Sequence, residues 1–444
     1  MGKRWPITVL RTVAVAILLT VVLSLSCARA ASWPSVDAKA VVVMDAGSGR
    51  ILYAYQPDER HLIASTTKIM TALVAIEKGN LDDMVTVSRQ AARVEGSRIY
   101  LDEGERETLR DLLYALMLRS ANDAAIAIAE HVGGSVEGFA QLMNEKARAL
   151  GCQNTHFVNP HGLDHPDHYS SARDLAVIGA QAMKNPFFRQ LVCSRKWEMP
   201  WPAKSSTRVL HNENKLLADE YGTGIKTGYT VASGHCVVAS ARREQFEVIV
   251  VMLDAGMGFW RDVRALLDHA FAHYRPVAVI RSGQPLDSFE LQGAGKVQAV
   301  AGADLVIPLL PEETASATSS LHTQVTWVPG LNAPLQAGQR VGQVEVQCLD
   351  LPPAYIPLVA ADAVAPLQPA RPWPWLLLAG TLGTGILVWH RRRPRYGCSR
   401  YVRPRVHTWS PSVQAARRAQ LEGPRSRPLG SRSRLQGPSS RRHH

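Results

Sequence analysis

The 444 residues predict a mixed α/β (α+β) body, followed by a small all-β domain and then a single apolar span near the C-terminus. Three observations carry that prediction. Between residues 39 and 275, short apolar runs of strand length alternate with stretches whose apolar residues recur at helical spacing. After Pro276, short alternating runs are broken by Gly and Pro turns, the texture of an all-β unit. From Trp373 to Trp389, seventeen residues pass without a charge.

The elements follow in chain order. Lys3 and Arg4 precede an apolar run, Val13 to Leu25, and Ala28-Arg29-Ala30 offers small residues for cleavage before Ala31, so residues 1–30 read as a secretory signal. An uncleaved membrane anchor is the alternative. Cys27 invites lipid attachment, but Ser24 stands where an aliphatic residue is wanted. The body, 31–275, opens with a buried strand at Ala40–Met44, a turn at Asp45–Gly49 and a second hairpin arm at Arg50–Tyr55. From Ser65, the spacing of Ile69, Leu73, Val74 and Ile76 predicts a helix ending at Gly79-Asn80. Thr108-x-x-Asp111 caps a helix through Leu113, Leu116 and Met117. The break Ser120-Ala121-Asn122 precedes another helix, Ala124–His131. Ser171 and Asp174 cap a further helix through Leu175, Ile178 and Met183. Strands are expected at Gly224–Tyr229, Cys236–Ser240 and Glu247–Leu253, then a helix over about Trp260–His273.

The all-β unit is placed at 276–359, with strands at Ala278–Ile280, Val297–Val300, Leu305–Pro308, Val325–Val328 and Val341–Val346. An Ala- and Pro-rich spacer occupies 360–372. At 1.5 Å per residue the run 373–389 reaches about 26 Å, the short end of what crosses a bilayer. Trp373, Trp375 and Trp389 flank it as interfacial aromatics do, and His390-Arg391-Arg392-Arg393 follow at once. This predicts a transmembrane helix with the basic tail, 391–444, disordered and on the cytoplasmic side, and the body outside the cell membrane. A buried core helix is the competing reading.

Net charge supports the same division. The total is +12, but residues 1–30 carry +4 and residues 391–444 carry fifteen Arg against Glu422, leaving −6 for 31–390. The basicity belongs to the ends, which excludes nucleic acid as a partner of the body. Of six cysteines, Cys152, Cys193, Cys236 and Cys348 lie in the exported part. None forms a C-x-x-C pair, and free core cysteines are expected.

Ser65-Thr66-Thr67-Lys68 sets a hydroxyl and an amine three residues apart at a helix start, on one face. A serine becomes a useful nucleophile once a base takes its proton. Lysine serves as that base only when its amine is neutral, which needs burial or a neighbouring cation. Ser120-Ala121-Asn122 adds a hydroxyl and an amide, although a plain interhelical turn explains the triplet equally well. On the strand Gly224-Ile225-Lys226-Thr227-Gly228, Lys226 would be the second cation and Thr227 a donor to a carboxylate, while Gly228 would let a substrate backbone approach. A surface lysine on an ordinary strand is the alternative.

The three triplets together, in this order and on helix start, loop and strand, resemble the penicillin-recognising serine enzymes (the β-lactamase/transpeptidase-like fold). Within them the chain resembles the serine-type D-alanyl-D-alanine carboxypeptidases. Blocks at Ala64–Leu73, Asn159–Leu163, Tyr169–Leu175, Lys226–Thr230 and, in the all-β unit, Ala333–Gln339 carry the likeness over about residues 39–360. The resemblance implies an acyl-enzyme on Ser65 with Lys68 as base and Ser120 relaying a proton to the leaving amine. Asn122, Lys226, Thr227, Gly228 and Tyr229 would bind substrate, with the backbone N–H groups of Ser65 and Tyr229 holding the oxyanion. It further implies a peptidoglycan stem peptide ending in D-Ala-D-Ala as substrate, β-lactams as inhibitors, and no metal or organic cofactor.

There are departures. Ile63 stands where the family has Pro, and Arg261 and Arg264 lack the family's spacing for a carboxylate-binding arginine, so that role stays unassigned. His156, His161, His165 and His168, with Asp164 and Asp167, could suggest a metal site. Pro160, Gly162 and Pro166 deny it a regular element to fix the ligands. A class A β-lactamase would need a Glu with Asn four residues on. None of Glu130, Glu137, Glu145, Glu198, Glu213 and Glu220 has one. A non-catalytic wall-binding scaffold is the remaining alternative.

Overall fold

The computed structural model describes residues 32–365 apart from Gly293 and Asp350. The expected signal at 1–30, the expected span at 373–389 and the basic tail lie outside the described residues. Among the described residues no helix is long and apolar enough to cross a membrane.

The strands are β1 (Ala38–Asp45), β2 (Ile51–Tyr55), β3 (Met84–Thr86), β4 (Arg106–Thr108), β5 (Lys196–Trp201), β6 (Ser206–His211), β7 (Gly222–Thr230), β8 (Gly234–Arg243) and β9 (Phe246–Ala255). A five-stranded antiparallel sheet runs in the order β2-β1-β9-β8-β7. Its centre is buried on both sides, which is why β9 reads as an unbroken apolar run instead of an alternation. Val248, Val250 and Met252 pack into one cluster with the helix Phe259–His273. Ile249, Val251 and Leu253 pack into the other, with the helices on the opposite face. That second layer holds the helices Lys68–Lys78, Leu109–Leu118, Asn122–Gly133 and Ala172–Met183.

The caps read from sequence are in place. Thr108 accepts from the Asp111 N–H and Ser171 from the Asp174 N–H, each satisfying an orphan donor of the first turn. Four elements carried no clear signal. The helices Val136–Ala149 and Pro186–Cys193 and the hairpin β5–β6 were not foreseen, nor was the small β3–β4 pair.

The second unit contains β10 (Arg275–Ile280), β11 (Pro285–Leu291), β12 (Gly295–Ala301), β13 (Leu305–Leu309), β14 (His322–Trp327), β15 (Arg340–Gln347) and β16 (Ala354–Ala360). Five of them form the sheet β11-β12-β16-β15-β14, and β10 pairs with β13. Two corrections apply. The unit is not purely β: a helix at Glu313–Ser319 buries Ala317 against its core. The expected spacer from 360 also begins too early, since Val364 still exchanges backbone hydrogen bonds with Leu335. The Arg50 side chain, just ahead of β2, reaches this unit, with Nη1 donating to Pro308 O of β13 at 2.5 Å and Nη2 to Glu313 Oε1 of the helix at 2.6 Å.

Cys152, Cys193, Cys236 and Cys348 are free thiols.

Candidate active site

Ser65 lies in a single 3-10 turn, Ala64–Thr67, that runs directly into the helix Lys68–Lys78. This helix is buried continuously from Lys68 to Ala75, so its first turn opens inside the molecule and not on its surface. Ala64 enters the turn at φ +44°, a conformation disfavoured for any residue with a Cβ. Local bonds hold it: Thr67 Oγ1 donates to Ala64 O at 2.8 Å and Thr66 Oγ1 to Ile63 O at 2.6 Å. The turn also has glycine on two sides. A Cβ on Gly162 would run into the Ala64 carbonyl, and one on Gly228 would stand 2.5 Å from Ser65 N. The loop 159–163 and strand β7 therefore close on the Ser65 turn more tightly than any side chain permits.

Lys68 is wholly buried. Its Nζ is 2.9 Å from Ser65 Oγ, 2.8 Å from Asn122 Oδ1 and 2.6 Å from His161 O. The Asn122 orientation is fixed, because its Nδ2 donates to the Glu95 carbonyl at 2.6 Å, which only accepts. Burial holds the Lys68 amine well below the ordinary lysine range, and the nearby Lys226 charge lowers it further; Asp123 and Glu213 oppose the shift. A neutral amine has two N–H donors and one lone pair. With both donors spent on Asn122 Oδ1 and His161 O, the lone pair is left facing the Ser65 hydroxyl. In this geometry a neutral Lys68 can accept the Ser65 proton.

Lys226, on β7, is 3% exposed, and its Nζ donates to Thr227 O at 2.9 Å. Burial brings its ammonium down to about 8, with Glu213 pulling the other way. Ser120 is buried at φ +57° in the break between two helices, and its hydroxyl makes no hydrogen bond among the described residues. Thr227 is half-buried next to Lys226. Tyr229 is 59% exposed, and its ring lies 4.7 Å from the His235 ring. Direct bonds thus join Ser65, Lys68 and Asn122, and close packing adds Gly228. Ser120 and Thr227 keep unspent hydroxyls.

The parts played here by three residues were not read from the sequence. His161 supplies a main-chain carbonyl to Lys68 from 93 residues away. Asp123 accepts from the N–H groups of Ile99, Leu101 and Ala124 and so ties down the loop that carries Glu95. Glu213 is the carboxylate whose charge reaches both lysines. The pattern Ser120-x-Asn122-Asp123 offered a signal for Asp123; a backbone carbonyl offers none.

The buried histidines of this stretch are committed to their own loop and to the Ser65 turn. His168 Nε2 pairs with Thr67 Oγ1 at 2.8 Å, and its Nδ1 accepts from Val158 N at 3.2 Å. His161 Nδ1 accepts from Leu163 N at 3.1 Å. Burial depresses both imidazoles to about 3. Among the described residues, no three His, Cys, Asp or Glu side chains converge as metal ligands. Arg261 and Arg264 pair with Asp262 and Asp219.

The family model for D-alanyl-D-alanine carboxypeptidase matches residues 27–257, and that for the penicillin-binding protein 5 C-terminal domain matches 274–366. The chain is 32% identical to the D-alanyl-D-alanine carboxypeptidase DacF of Bacillus subtilis over 69% of this chain and 80% of the relative. It is likewise 32% identical to DacA of Haemophilus influenzae over 78% and 90% of the two chains. Among solved structures, penicillin-binding protein 5 from Haemophilus influenzae aligns with a TM-score of 0.60 at 30% identity, covering 75% of this chain and 99% of that one. A match over more than half of the chain and relatives about a third identical over most of it decide the family: the chain belongs to the D-alanyl-D-alanine carboxypeptidases of peptidase family S11.

Proposed function

We propose that this chain is a serine-type D-alanyl-D-alanine carboxypeptidase that trims the terminal D-alanine from peptidoglycan stem peptides through an acyl-enzyme on Ser65. The observation that carries the mechanism is the Lys68 amine, buried, depressed and 2.9 Å from Ser65 Oγ, with its other contacts on two obligate acceptors. In acylation Ser65 Oγ attacks the carbonyl carbon between the two D-alanines, and its proton passes to Lys68 Nζ. The oxyanion is held by the Ser65 and Tyr229 N–H groups. Breakage of the C–N bond then releases D-alanine, whose nitrogen takes a proton relayed through Ser120. The Lys226 ammonium and Thr227 hydroxyl meet the terminal carboxylate, and Asn122 meets the stem amide. Water, deprotonated by the same base, attacks the acyl carbon and restores Ser65. A β-lactam acylates the same oxygen and is released slowly.

The remaining topology belongs to this reading. Residues 1–30 direct export, 373–389 anchor the chain in the cell membrane as one helix, and 391–444 stay inside. The apolar run between tryptophans and the arginine cluster after it support that placement.

Purified protein incubated with a pentapeptide stem should release D-alanine and take up labelled penicillin, and Ser65→Ala should do neither while melting as wild type does. Equal release by wild type and Ser65→Ala refutes the proposal.

A further inference from the structure

The turn that carries the nucleophile has no cap of its own. Neither the 3-10 turn Ala64–Thr67 nor the helix Lys68–Lys78 takes a side-chain hydrogen bond at its N-cap. Behind the turn stands a buried histidine that the reaction does not use. His168 is 1% exposed, with its ring set edge-on to that of Phe157 at 5.7 Å. The backbone fixes its place from two sides. Tyr169 exchanges hydrogen bonds with His156 at 2.9 and 3.0 Å, and Ser170 exchanges them with His61, just ahead of Ile63, at 2.9 and 3.1 Å.

The partners of the ring decide where its proton sits. The Val158 N–H donates to Nδ1 at 3.2 Å, so Nδ1 carries no proton. Burial keeps the imidazole neutral, which leaves the single ring proton on Nε2, 2.8 Å from Thr67 Oγ1. Thr67 Oγ1 spends its own proton on Ala64 O at 2.8 Å. Thr67 is wholly buried, so solvent does not compete for its lone pair. The bonds therefore run one way: from the Val158 N–H into the ring, from Nε2–H to the Thr67 hydroxyl, and from that hydroxyl to the Ala64 carbonyl. That carbonyl belongs to the residue at φ +44° immediately before Ser65.

We propose that His168 is a positioning residue for acylation: by donating to Thr67 it locks that hydroxyl onto the Ala64 carbonyl and so holds the strained turn that aims Ser65 Oγ at Lys68 Nζ. It touches neither the reacting atoms nor the substrate, and it acts through Thr67. This rests on Ser65 being the acylated residue.

The test uses the two ring nitrogens separately. A Gln amide nitrogen reaches the place of Nε2 and restores the donor to Thr67, whereas an Asn amide oxygen reaches the place of Nδ1 and restores only the acceptor for Val158. The readout is the first-order acylation constant of the full-length chain at saturating labelled penicillin. It belongs to the molecules that react, so a loss of folded protein lowers the amplitude and not the constant. His168→Leu and His168→Asn should lower it by roughly tenfold to a hundredfold, the scale of a slightly misplaced reacting group, with the half-saturating concentration unchanged. His168→Gln should recover most of the wild-type constant. Thr67→Val, which lacks the hydroxyl at nearly the same shape, should fall by a similar factor, and adding His168→Leu to it should cost little more. A Gln variant no faster than the Leu variant overturns the proposal, whether or not Asn recovers. So does wild-type acylation by His168→Leu or Thr67→Val, or a double variant that loses the product of the two single factors. If the His168 variants do not fold, Thr67→Val alone decides. Uptake of label by Ser65→Ala would instead sink the acyl-enzyme reading, and this inference with it.

Discussion

Gly228→Ala separates the geometry of the site from its inventory of residues, because it removes no functional group. The added Cβ would lie 2.5 Å from Ser65 N, 2.9 Å from Ala64 Cβ and 3.1 Å from Thr66 N, where ordinary contact begins at 3.4 Å. Two of those atoms are backbone and none is the tip of a flexible chain, so relief requires β7 and the Ser65 turn to part by about 0.9 Å. The proposed oxyanion donors, the N–H groups of Ser65 and Tyr229, sit on opposite sides of that gap. Loss of their alignment costs about 10²–10³ in rate, the effect of removing one such donor or of misplacing a reacting group by about 1 Å. Overpacking adds about 1–3 kcal/mol of destabilisation. The assay is the second-order rate of acylation by a labelled penicillin, with a thermal melt to show that the variant folds. Acylation within about threefold of wild type, which is under about 1 kcal/mol of barrier, refutes the close-approach reasoning.

Two further outcomes concern protons. Lys226 carries its charge below about 8, so the KM for a stem ending in a carboxylate should rise as pH climbs through that value; a flat KM between pH 7 and 10 contradicts its placement on the carboxylate. The second concerns the buried cluster in which Arg208 pairs with Glu105 and lies 3.6 Å from Glu107. Burial, then the Glu105 neighbour, raises the Glu107 carboxyl to about 8. A raised folded value means the folded state holds the extra proton, so stability is full at acid pH and declines as pH climbs from the usual carboxyl range through about 8. Glu107→Gln should melt like wild type at pH 5 and above it at pH 9. Parallel curves for the two proteins would show that Glu107 is not protonated in the fold.

What could be read in the sequence was local. A hydroxyl and an amine three residues apart share a helix face, so Ser65 and Lys68 could be paired on spacing alone, and they stand 2.9 Å apart. Caps are local in the same way, since Thr108 and Ser171 bond to N–H groups three residues on. Buried strands announce themselves through apolar runs, as β9 does. The hairpin β5–β6 escaped because most of its residues are exposed and Pro200 lies inside it. The helix Glu313–Ser319, seven residues of mainly small side chains, has no periodicity to detect.

The sequence by itself therefore determined the main strands and helices of the body, the helix caps and the pairing of Ser65 with Lys68. The tertiary structure alone decided how those side chains act. Lys68 owes its lone pair on Ser65 to a carbonyl at His161 and an amide at Asn122, which lie 93 and 54 residues away. Its depressed basicity comes from burial and from Lys226, 158 positions on in the numbering. A main-chain carbonyl is the same group at every residue, and desolvation depends on what surrounds a charge in space. Neither leaves a mark in the order of amino acids until the chain has folded around it.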